Sequence, residues 1–247
     1  MALTPSQASI VAEMFIHTAD ENYIAARWCY SQALYTDFFW LGTHALEKYM
    51  KAVLLHNGRS VKHYGHDVLN LYNAINSIGK KLLPQTLKKP KSLSGVVWFN
   101  RTSKGFMEFL ALNGSPENRY LSYGYSVRSQ DLHMLDTMVF AIRRLICPLD
   151  EPLQLLGSPH DVKPPTYRYF LTKQVDYQPL RSGPLSDLIE GRGTVERRNA
   201  ALNLNVAFAP EDHVHEPART GSAGRSPVLT RRILKELALE SPVVETP

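Results

Sequence analysis

Cysteine is scarce in this chain, and long apolar runs are missing. Cys29 and Cys147 are the only cysteines among 247 residues and form no CxxC pair, so neither a disulfide framework nor a cysteine metal site is indicated. Each lies in an apolar context typical of a small buried side chain. No apolar run could span a bilayer, and the start MALTPSQASIVAEMF lacks the basic region of a signal peptide. We therefore expect a protein of the reducing cytoplasm with no membrane partner.

Several motifs of catalysis and metal binding are also absent. The sequence has no GxSxG, no phosphate-binding P-loop and no GxGxxG, so nothing supports a serine hydrolase, a P-loop nucleoside triphosphatase or a dinucleotide enzyme. His213 and His215 form an HxH pair, and His63 and His66 lie in HYGH. Neither pair has a distant partner in a preorganised site, whereas a structural metal site needs about four ligands. We expect no metal site and no cofactor.

Acidic residues are missing between Asp67 and Glu108. Residues 1–150 hold 16 Lys and Arg against 11 Asp and Glu, which accounts for the whole net charge of +5. The basic residues of the acid-free interval are Lys80, Lys81, Lys88, Lys89, Lys91, Arg101 and Lys104. Such a local field attracts phosphate groups. Two readings stay open: a contact with a polyanion, or a loop that charge keeps soluble.

The stretch FFWLGTHALEKYMKAVLLHNG, residues 38–58, predicts a central helix with a narrow polar stripe. His44, Glu47, Lys48 and Lys51 fall within an arc of about 100° when each residue turns the helix by about 100°. The rest of the circumference is apolar, which is typical of a helix buried on most sides. The stripe is either a solvated edge with Glu47 and Lys51 as an i,i+4 pair, or one wall of a groove or subunit interface.

Helical periodicity predicts a bundle over residues 1–150. The expected helices run from about Asp20 to Tyr35, over residues 38–58, over GHDVLNLYNAINSI, over residues 94–112, and from about Ser129 to Cys147. Residues 151–247 are rich in proline and carry too little apolar pattern for a second core. We read them as an irregular, partly β extension that packs on the bundle. It would contain strands at TYRYFLTK (166–173) and NAALNLNVAFAP (199–210), a linker over 211–227, and an amphipathic helix at VLTRRILKELALE (228–240).

Taken together, HALEKYMKAVLLHNG, a short loop and GHDVLNL resemble the HEPN domain family. The residues that carry the resemblance are Glu47, Lys48 and Lys51 on one helix, then His66 and Asp67 at the start of the next. The resemblance covers roughly residues 10–150. It implies an all-α up-and-down bundle that usually dimerises. Members of the family include nucleotide-binding modules, partners of minimal nucleotidyltransferases, and ribonucleases of defence or toxin–antitoxin systems.

The ribonucleases of that family carry an arginine followed a few residues later by a histidine, just ahead of the last helix. At the matching place this sequence reads NRYLSYGYSV, with Arg119 followed by Tyr123 and Tyr125. Tyrosine, with a pKa near 10, is a poor general base at neutral pH, although its ring can stack on a base. Arg59 and His66 have the required spacing but precede the third predicted helix.

The preferred hypothesis is a HEPN-like module that binds nucleotide or RNA as a homodimer, in a defence or toxin–antitoxin context and with a possible nucleotidyltransferase partner. Its candidate ligand-binding residues are His44, Glu47, Lys48, Lys51, Asp67, Lys88, Lys89 and Lys91. One alternative is a metal-independent ribonuclease that uses Arg59 with His66, or Arg119 with Tyr123 and Tyr125. Another is a protein-interaction scaffold.

The expectation of a dimer rests on four large aromatic residues. Trp28, Phe38, Phe39 and Trp40 cannot all face one small core, so some of them should form an intersubunit surface.

Overall fold

Helices dominate the part of the chain that the computed structural model describes, which is residues 3–93, 95–153, 164–177, 182–209 and 222–225. Its α-helices are α1 (Pro5–Val11), α2 (Thr18–Ser31), α3 (Tyr35–His56), α4 (Val68–Gly79), α5 (Ser103–Asn113), α6 (Ser129–Arg143), α7 (Tyr167–Lys173), α8 (Pro184–Ile189) and α9 (Val195–Leu202). The strands β1 (Thr86–Leu87) and β2 (Arg101–Thr102) form one antiparallel pair, and β3 (Tyr125–Arg128) and β4 (Ser222–Arg225) form another. The predicted all-α bundle is confirmed.

Helix α3 lies at the centre of the bundle, and α2, α4, α5 and α6 all pack on it. Its apolar side chains fill the core because they cover most of the helix circumference. Phe38, Leu46, Tyr49 and Met50 have no exposed surface. The helix was predicted over residues 38–58 and runs from Tyr35 to His56, so the stripe residues fall on it as expected.

The start of the chain is helical earlier than the sequence pattern predicted. Helix α1 begins at Pro5, a π-helical turn over Ala12–His17 joins it to α2, and α2 ends at Ser31 rather than Tyr35. The physical reason is a capping box. The Thr4 hydroxyl accepts a hydrogen bond from the Gln7 amide at 3.3 Å, and the Gln7 side chain accepts one from the Thr4 amide at 2.9 Å.

Two later helices are shorter than predicted. The helix expected over residues 94–112 begins only at Ser103, because Thr102 is its N-cap and accepts a hydrogen bond from an amide of the first turn at 3.0 Å. The helix expected to reach Cys147 ends at Arg143, and the chain continues in turns.

The extension is helical where strands were predicted, so those two predictions are wrong. The segment 166–173 forms α7, and the segment 199–210 contains the end of α9 followed by turns. In both cases a threonine caps the helix. Thr166 accepts a hydrogen bond from the Tyr169 amide at 3.2 Å, and Thr194 accepts one from the Arg197 amide at 3.3 Å.

One part of the predicted linker is a strand. Ser222–Arg225 pairs with Tyr125–Arg128 in antiparallel register, with Ser222 opposite Arg128 and Arg225 opposite Tyr125. The predicted helix over 228–240 lies outside the described residues, and so do His213 and His215.

The extension is attached to the bundle through buried ion pairs. The Arg27 guanidinium on α2 contacts the Asp136 carboxylate on α6 and also donates to the carbonyls of Ala200, at 3.0 Å, and of Asn203. Tyr23 donates to Asp136 at 2.6 Å. Burial and the Asp136 charge raise the pKa of Tyr23 well above its ordinary value, so the phenol stays protonated and remains a donor.

A second buried ion pair contacts the first turn of α8. Asp20 on α2 accepts hydrogen bonds from Arg143 at 3.1 Å and from the Leu185 amide at 3.1 Å. Arg143 in turn donates to the Ser186 hydroxyl at 3.0 Å. Residues of α8 and α9, among them Leu185 and Leu202, belong to the same buried core as the bundle, so the described part of the extension completes that core.

The core takes up two of the four aromatic residues on which the expected dimer surface rested. Phe38 and Phe39 are fully buried, whereas Trp28 is 49% exposed. Phe38 and Phe39 were expected to be exposed, and for these two residues the expectation is wrong, because their rings pack against each other with centroids 5.0 Å apart inside the bundle. None of the described helices is both long and apolar enough to cross a membrane.

Candidate functional site

Glu47 is the centre of the polar stripe on α3. Its side chain is 5% exposed, yet three basic groups surround the carboxylate. Lys51 Nζ lies 2.6 Å from Oε1, His66 Nδ1 lies 3.0 Å from Oε1 and 3.2 Å from Oε2, and His44 Nδ1 lies 3.4 Å from Oε2. The stripe is thus an organised cluster rather than a row of solvated side chains.

The pKa of Glu47 reflects this environment. Burial by itself would raise it, but hydrogen bonds from His44, Lys51 and His66, together with the Lys51 charge, lower it to about 2. Glu47 is therefore an ionised carboxylate at neutral pH, although it is almost completely buried.

Lys51 fixes the loop that presents His66. Besides Glu47, its ammonium donates to the Gly65 carbonyl at 2.6 Å, which ties the loop between α3 and α4 to the α3 surface. Gly65 has a φ of 52°, a left-handed conformation that glycine adopts without strain. Asp67, the next residue after His66, caps α4 by accepting from the Leu69 and Asn70 amides. Asp67 was predicted to bind a ligand. In the structure its carboxylate is engaged as the N-cap of α4.

Lys48 points away from this cluster. Its ammonium donates to the Asn22 side chain at 2.6 Å, across the contact with α2. Burial lowers its pKa, and the charge of Glu47 partly opposes that effect. The stripe therefore divides, with Lys48 against α2 and His44, Glu47 and Lys51 towards the loop before α4.

Trp40 extends the cluster by one helical turn. Its ring centroid lies 4.2 Å from that of His44, and the Arg119 guanidinium carbon lies 4.4 Å from the Trp40 ring centroid, which is cation–π geometry. The His44 and His66 ring centroids are 6.3 Å apart. Arg119, Trp40, His44 and His66 thus form a continuous row of cationic and aromatic groups.

A groove of about 470 Å³ runs beside this row, between α3, the start of α4 and the end of α5. Its lining residues include Trp40, His44 and Glu47 on α3, His66 in the loop before α4, and Ala111 and Pro116 at and after the end of α5. We call it the α3 groove. A groove with apolar walls and a few convergent polar groups is the usual form of a small-molecule site.

The structure does not bring Arg59 to His66. Arg59 lines a separate polar cavity of about 210 Å³ together with Lys80, Asp150 and Arg168, whereas His66 lines the α3 groove. The spacing that suggested an Arg59–His66 pair thus places the two side chains in different cavities.

The two tyrosines that follow Arg119 occupy different surroundings. Tyr123 is 58% exposed. Tyr125 lies on β3, with its ring centroid 5.9 Å from that of Tyr35 and 6.3 Å from that of Phe39. Tyr125 thus packs with the aromatic rings at the start of α3.

The predicted basic loop is exposed. Lys88, Lys89 and Lys91 all lie on the surface after β1. Arg101, in the same acid-free interval, instead contacts Asp131 at 3.5 Å and stacks over Phe109 at 4.0 Å. The interval therefore separates into exposed lysines and an arginine held by the bundle.

Sequence reasoning missed Trp40 as a site residue and missed the contact between Glu47 and His66. Trp40 was counted with the apolar face of α3, although its i,i+4 spacing from His44 places both rings on one side of a helix. The Glu47–His66 contact spans 19 residues and depends on the path of the loop between α3 and α4, which the spacing of the two residues does not reveal.

Residues 12–99 match the family model of the HEPN domain. The match includes α2, α3 and α4, and with them Glu47, Lys51 and His66, and it ends ahead of Arg119. No curated protein and no solved structure matches the chain.

Proposed function

Because this chain carries a HEPN domain, we propose that it binds a nucleotide or single-stranded RNA in the α3 groove. The observation that carries the proposal is that Trp40, His44 and His66 line this groove while Arg119 stacks on the Trp40 ring. Aromatic rings and guanidinium planes are the surfaces on which proteins stack unpaired bases. The two imidazoles and the guanidinium supply donors for phosphate oxygens.

Lys48 and Lys51, which the sequence suggested as ligand-binding residues, have a supporting role in this proposal. Lys48 and Lys51 are both engaged with protein partners, on Asn22 in one case and on Glu47 and Gly65 in the other. They would position the groove wall rather than contact phosphate. For a longer RNA we assign the backbone contacts to the exposed lysines Lys88, Lys89 and Lys91.

The first experiment separates the groove from the rest of the surface. Fluorescence anisotropy of a labelled single-stranded RNA is measured with Trp40→Ala and Arg119→Ala. Loss of one stacking surface costs about 1–3 kcal/mol, so the dissociation constant should rise by about 5- to 150-fold. Tyr169→Ala and Arg197→Ala are matched controls, since both residues are exposed and neither lines the α3 groove.

The second experiment tests the lysine loop. Each phosphate contact contributes about 0.7 to the slope of log affinity against log salt for a single strand. Reversing Lys88, Lys89 and Lys91 to Glu should flatten that slope and weaken binding to all sequences alike, since phosphate contacts carry no base information. If neither the groove variants nor the loop variant changes RNA or nucleotide binding, the protein is better interpreted as an interaction scaffold.

A metal-independent ribonuclease is the second candidate, and the contact between Glu47 and His66 favours it. A carboxylate that holds one nitrogen of an imidazole leaves the other nitrogen to act as a general base, and Arg119 could stabilise the negative charge of the transition state. RNA incubated with the protein in EDTA should be cleaved if this function holds. Cleavage should then disappear in His66→Ala and in Arg119→Ala but persist in Arg59→Ala. If the RNA stays intact, the ribonuclease function is refuted and RNA or nucleotide binding is the function that remains.

We propose a homodimer in a defence or toxin–antitoxin pair as the setting of this function, with a nucleotidyltransferase as a possible partner. Support comes from the HEPN family, whose members often dimerise, and from exposed apolar side chains such as Met14 and Trp28. Light scattering at micromolar concentration should give twice the chain mass of 27.9 kDa. A mass of one chain throughout that range would contradict the dimer.

A further inference from the structure

We propose that His44, Glu47 and His66 form a binding site for a divalent transition metal ion, and that zinc is the ion their chemistry suits best. Two imidazoles and one carboxylate make up one of the ligand sets that hold zinc in open sites. Imidazole suits zinc, copper, nickel and iron, whereas magnesium and calcium prefer oxygen ligands alone. From the sequence we expected no metal, because His63 with His66 and His213 with His215 are pairs of near neighbours in the chain with no distant ligand beside them.

The spacing of the ligand atoms fits a tetrahedral ion. Metal–ligand bonds of about 2.1 Å at tetrahedral angles put neighbouring ligand atoms about 3.4 Å apart. Glu47 Oε2 lies 3.4 Å from His44 Nδ1 and 3.2 Å from His66 Nδ1. His44, Glu47 and His66 can each offer one ligand atom such that the three atoms lie within 4.8 Å of one another. His66 is the exposed residue of the three, with 83% of its side chain accessible. A small rotation of its ring can therefore bring its ligand nitrogen to the required distance from that of His44.

The supporting structure is already formed. His44 and Glu47 are three residues apart on a buried helix, a spacing that places two side chains on one face and occurs in metal-binding helical bundles. The Trp40 ring braces His44 at a centroid distance of 4.2 Å. Lys51 holds the loop of His66 through the Gly65 carbonyl. Only the exposed imidazole remains to be ordered when the ion binds.

Lys51 also limits which oxygen is available. Its ammonium occupies Oε1 at 2.6 Å, which leaves Oε2 for the ion. The site then has three protein ligands from the described part of the chain, because Asp67 is engaged as the α4 cap. The fourth position would be taken by water or by an oxygen of a ligand in the α3 groove. An open position of this kind distinguishes a reactive or ligand-binding zinc from a structural one.

The test uses the full chain, stripped of metal with EDTA and then dialysed. His213→Ala and His215→Ala are introduced first, since those residues lie outside the described part and form a second possible ligand pair. Titration with zinc chloride in a calorimeter should give one equivalent bound. Cobalt in place of zinc should give the intense visible absorption of four-coordinate cobalt.

Single ligand variants then locate the site. Losing a hydrogen-bond partner of a metal ligand costs about 10- to 100-fold in affinity, so His44→Ala, Glu47→Gln and His66→Ala should each weaken zinc binding by at least about tenfold. His63→Ala is the matched control and should leave the affinity unchanged. His63 is an exposed histidine of the same loop, its ring stacks on Tyr64, and it is not one of the clustered ligands.

A measurement on the chain with its cluster intact covers the case in which a ligand variant does not fold. Zinc should shift the Nδ1 resonances of two histidines in the nitrogen spectrum of the protein, and those two should be His44 and His66. The proposal is overturned if zinc shifts neither resonance. It is equally overturned if the three ligand variants, once shown to be folded by circular dichroism, bind zinc as tightly as His63→Ala.

Discussion

Arg27→Met tests whether a buried ion pair attaches the extension to the bundle. Arg27 and Asp136 have side chains only 2% exposed, and the guanidinium also reaches the carbonyls of Ala200 and Asn203 on the extension. Methionine keeps the length and apolar volume of the arginine stem but leaves the Asp136 carboxylate buried without its counter-charge. Breaking a buried pair in this way costs about 3–5 kcal/mol. That is a large part of the total stability of about 5–15 kcal/mol expected of a protein of this kind.

The matched control is an exposed ion pair that also joins α2 to the extension. Arg197 on α9 contacts Glu21 on α2 at 2.7 Å, and about half of each side chain is exposed. Such pairs contribute about 0–1 kcal/mol. Arg197→Met should therefore change the free energy of unfolding in urea by less than about 1 kcal/mol. The amide hydrogens of α9 should exchange with solvent faster in Arg27→Met than in the unsubstituted protein, and their exchange rate should be unchanged in Arg197→Met.

A second substitution checks the cause. Asp136→Asn in the Arg27→Met background removes the uncompensated charge, while its amide oxygen can still accept the hydrogen bond that Tyr23 donates at 2.6 Å. Part of the lost stability should return. If Arg27→Met costs no more than Arg197→Met, or if Asp136→Asn recovers nothing, the buried charge does not hold the extension and the reasoning is refuted.

Three further predictions concern local geometry. A Cβ on Gly114 would lie 2.2 Å from a threonine hydroxyl oxygen and 2.6 Å from a backbone carbonyl, so Gly114→Ala should cost about 1–3 kcal/mol by overpacking. Gly95→Ala, where nothing lies within 4 Å, should be near neutral in the same urea titration. Asp67→Ala removes the N-cap of α4 and should cost about 0.5–2 kcal/mol, seen as a lower melting temperature; an unchanged melting temperature would contradict the cap. A hydrogen bond from Arg168, only partly opposed by burial, lowers the pKa of Asp150. The stability that ionised Asp150 contributes is therefore present above the ordinary aspartate pKa of about 3.9 and is lost as pH falls through the lower pKa of the folded state. The melting temperature of Asp150→Asn should therefore fall less in acid than that of the unsubstituted protein. An equal fall in the two proteins would contradict this.

The bundle could be predicted from the sequence because its helices carry strong periodic patterns. In α3 almost every position outside the stripe is apolar, and only a buried helix accommodates such a segment with four polar residues on one arc. The boundaries were less accurate because they depend on single capping residues. Thr4 and Thr102 each set a helix start that the apolar pattern alone did not reveal.

The extension was misread because its local composition and its environment disagree. The segment 166–173 is rich in aromatic and β-branched residues, which favour strands in general. Thr166 nevertheless caps a helix there, and Leu171 is buried in the bundle core. Tertiary contacts therefore override a weak propensity, and periodicity over seven or eight residues was too short to show it.

The candidate site could be predicted only as separate pieces. Helical spacing alone indicated that His44, Glu47 and Lys51 share one face. That the loop brings His66 to Glu47, and that Arg119 stacks on Trp40 from 79 residues further along the chain, depends on how loops cross the bundle. No local pattern records such contacts.

Because β3 pairs with β4, this small sheet can form only late in the synthesis of the chain. Tyr125–Arg128 has Ser222–Arg225 as its strand partner, and that partner leaves the ribosome only after about a hundred further residues. Until then β3 has backbone donors and acceptors open on a strand edge, the kind of surface that recruits strands of other molecules. A nascent or proteolysed chain that ends ahead of Ser222 would keep that edge open, directly before α6 and a few residues after Arg119. For such a shortened chain, the edge of β3 is the place where unwanted association between copies would begin.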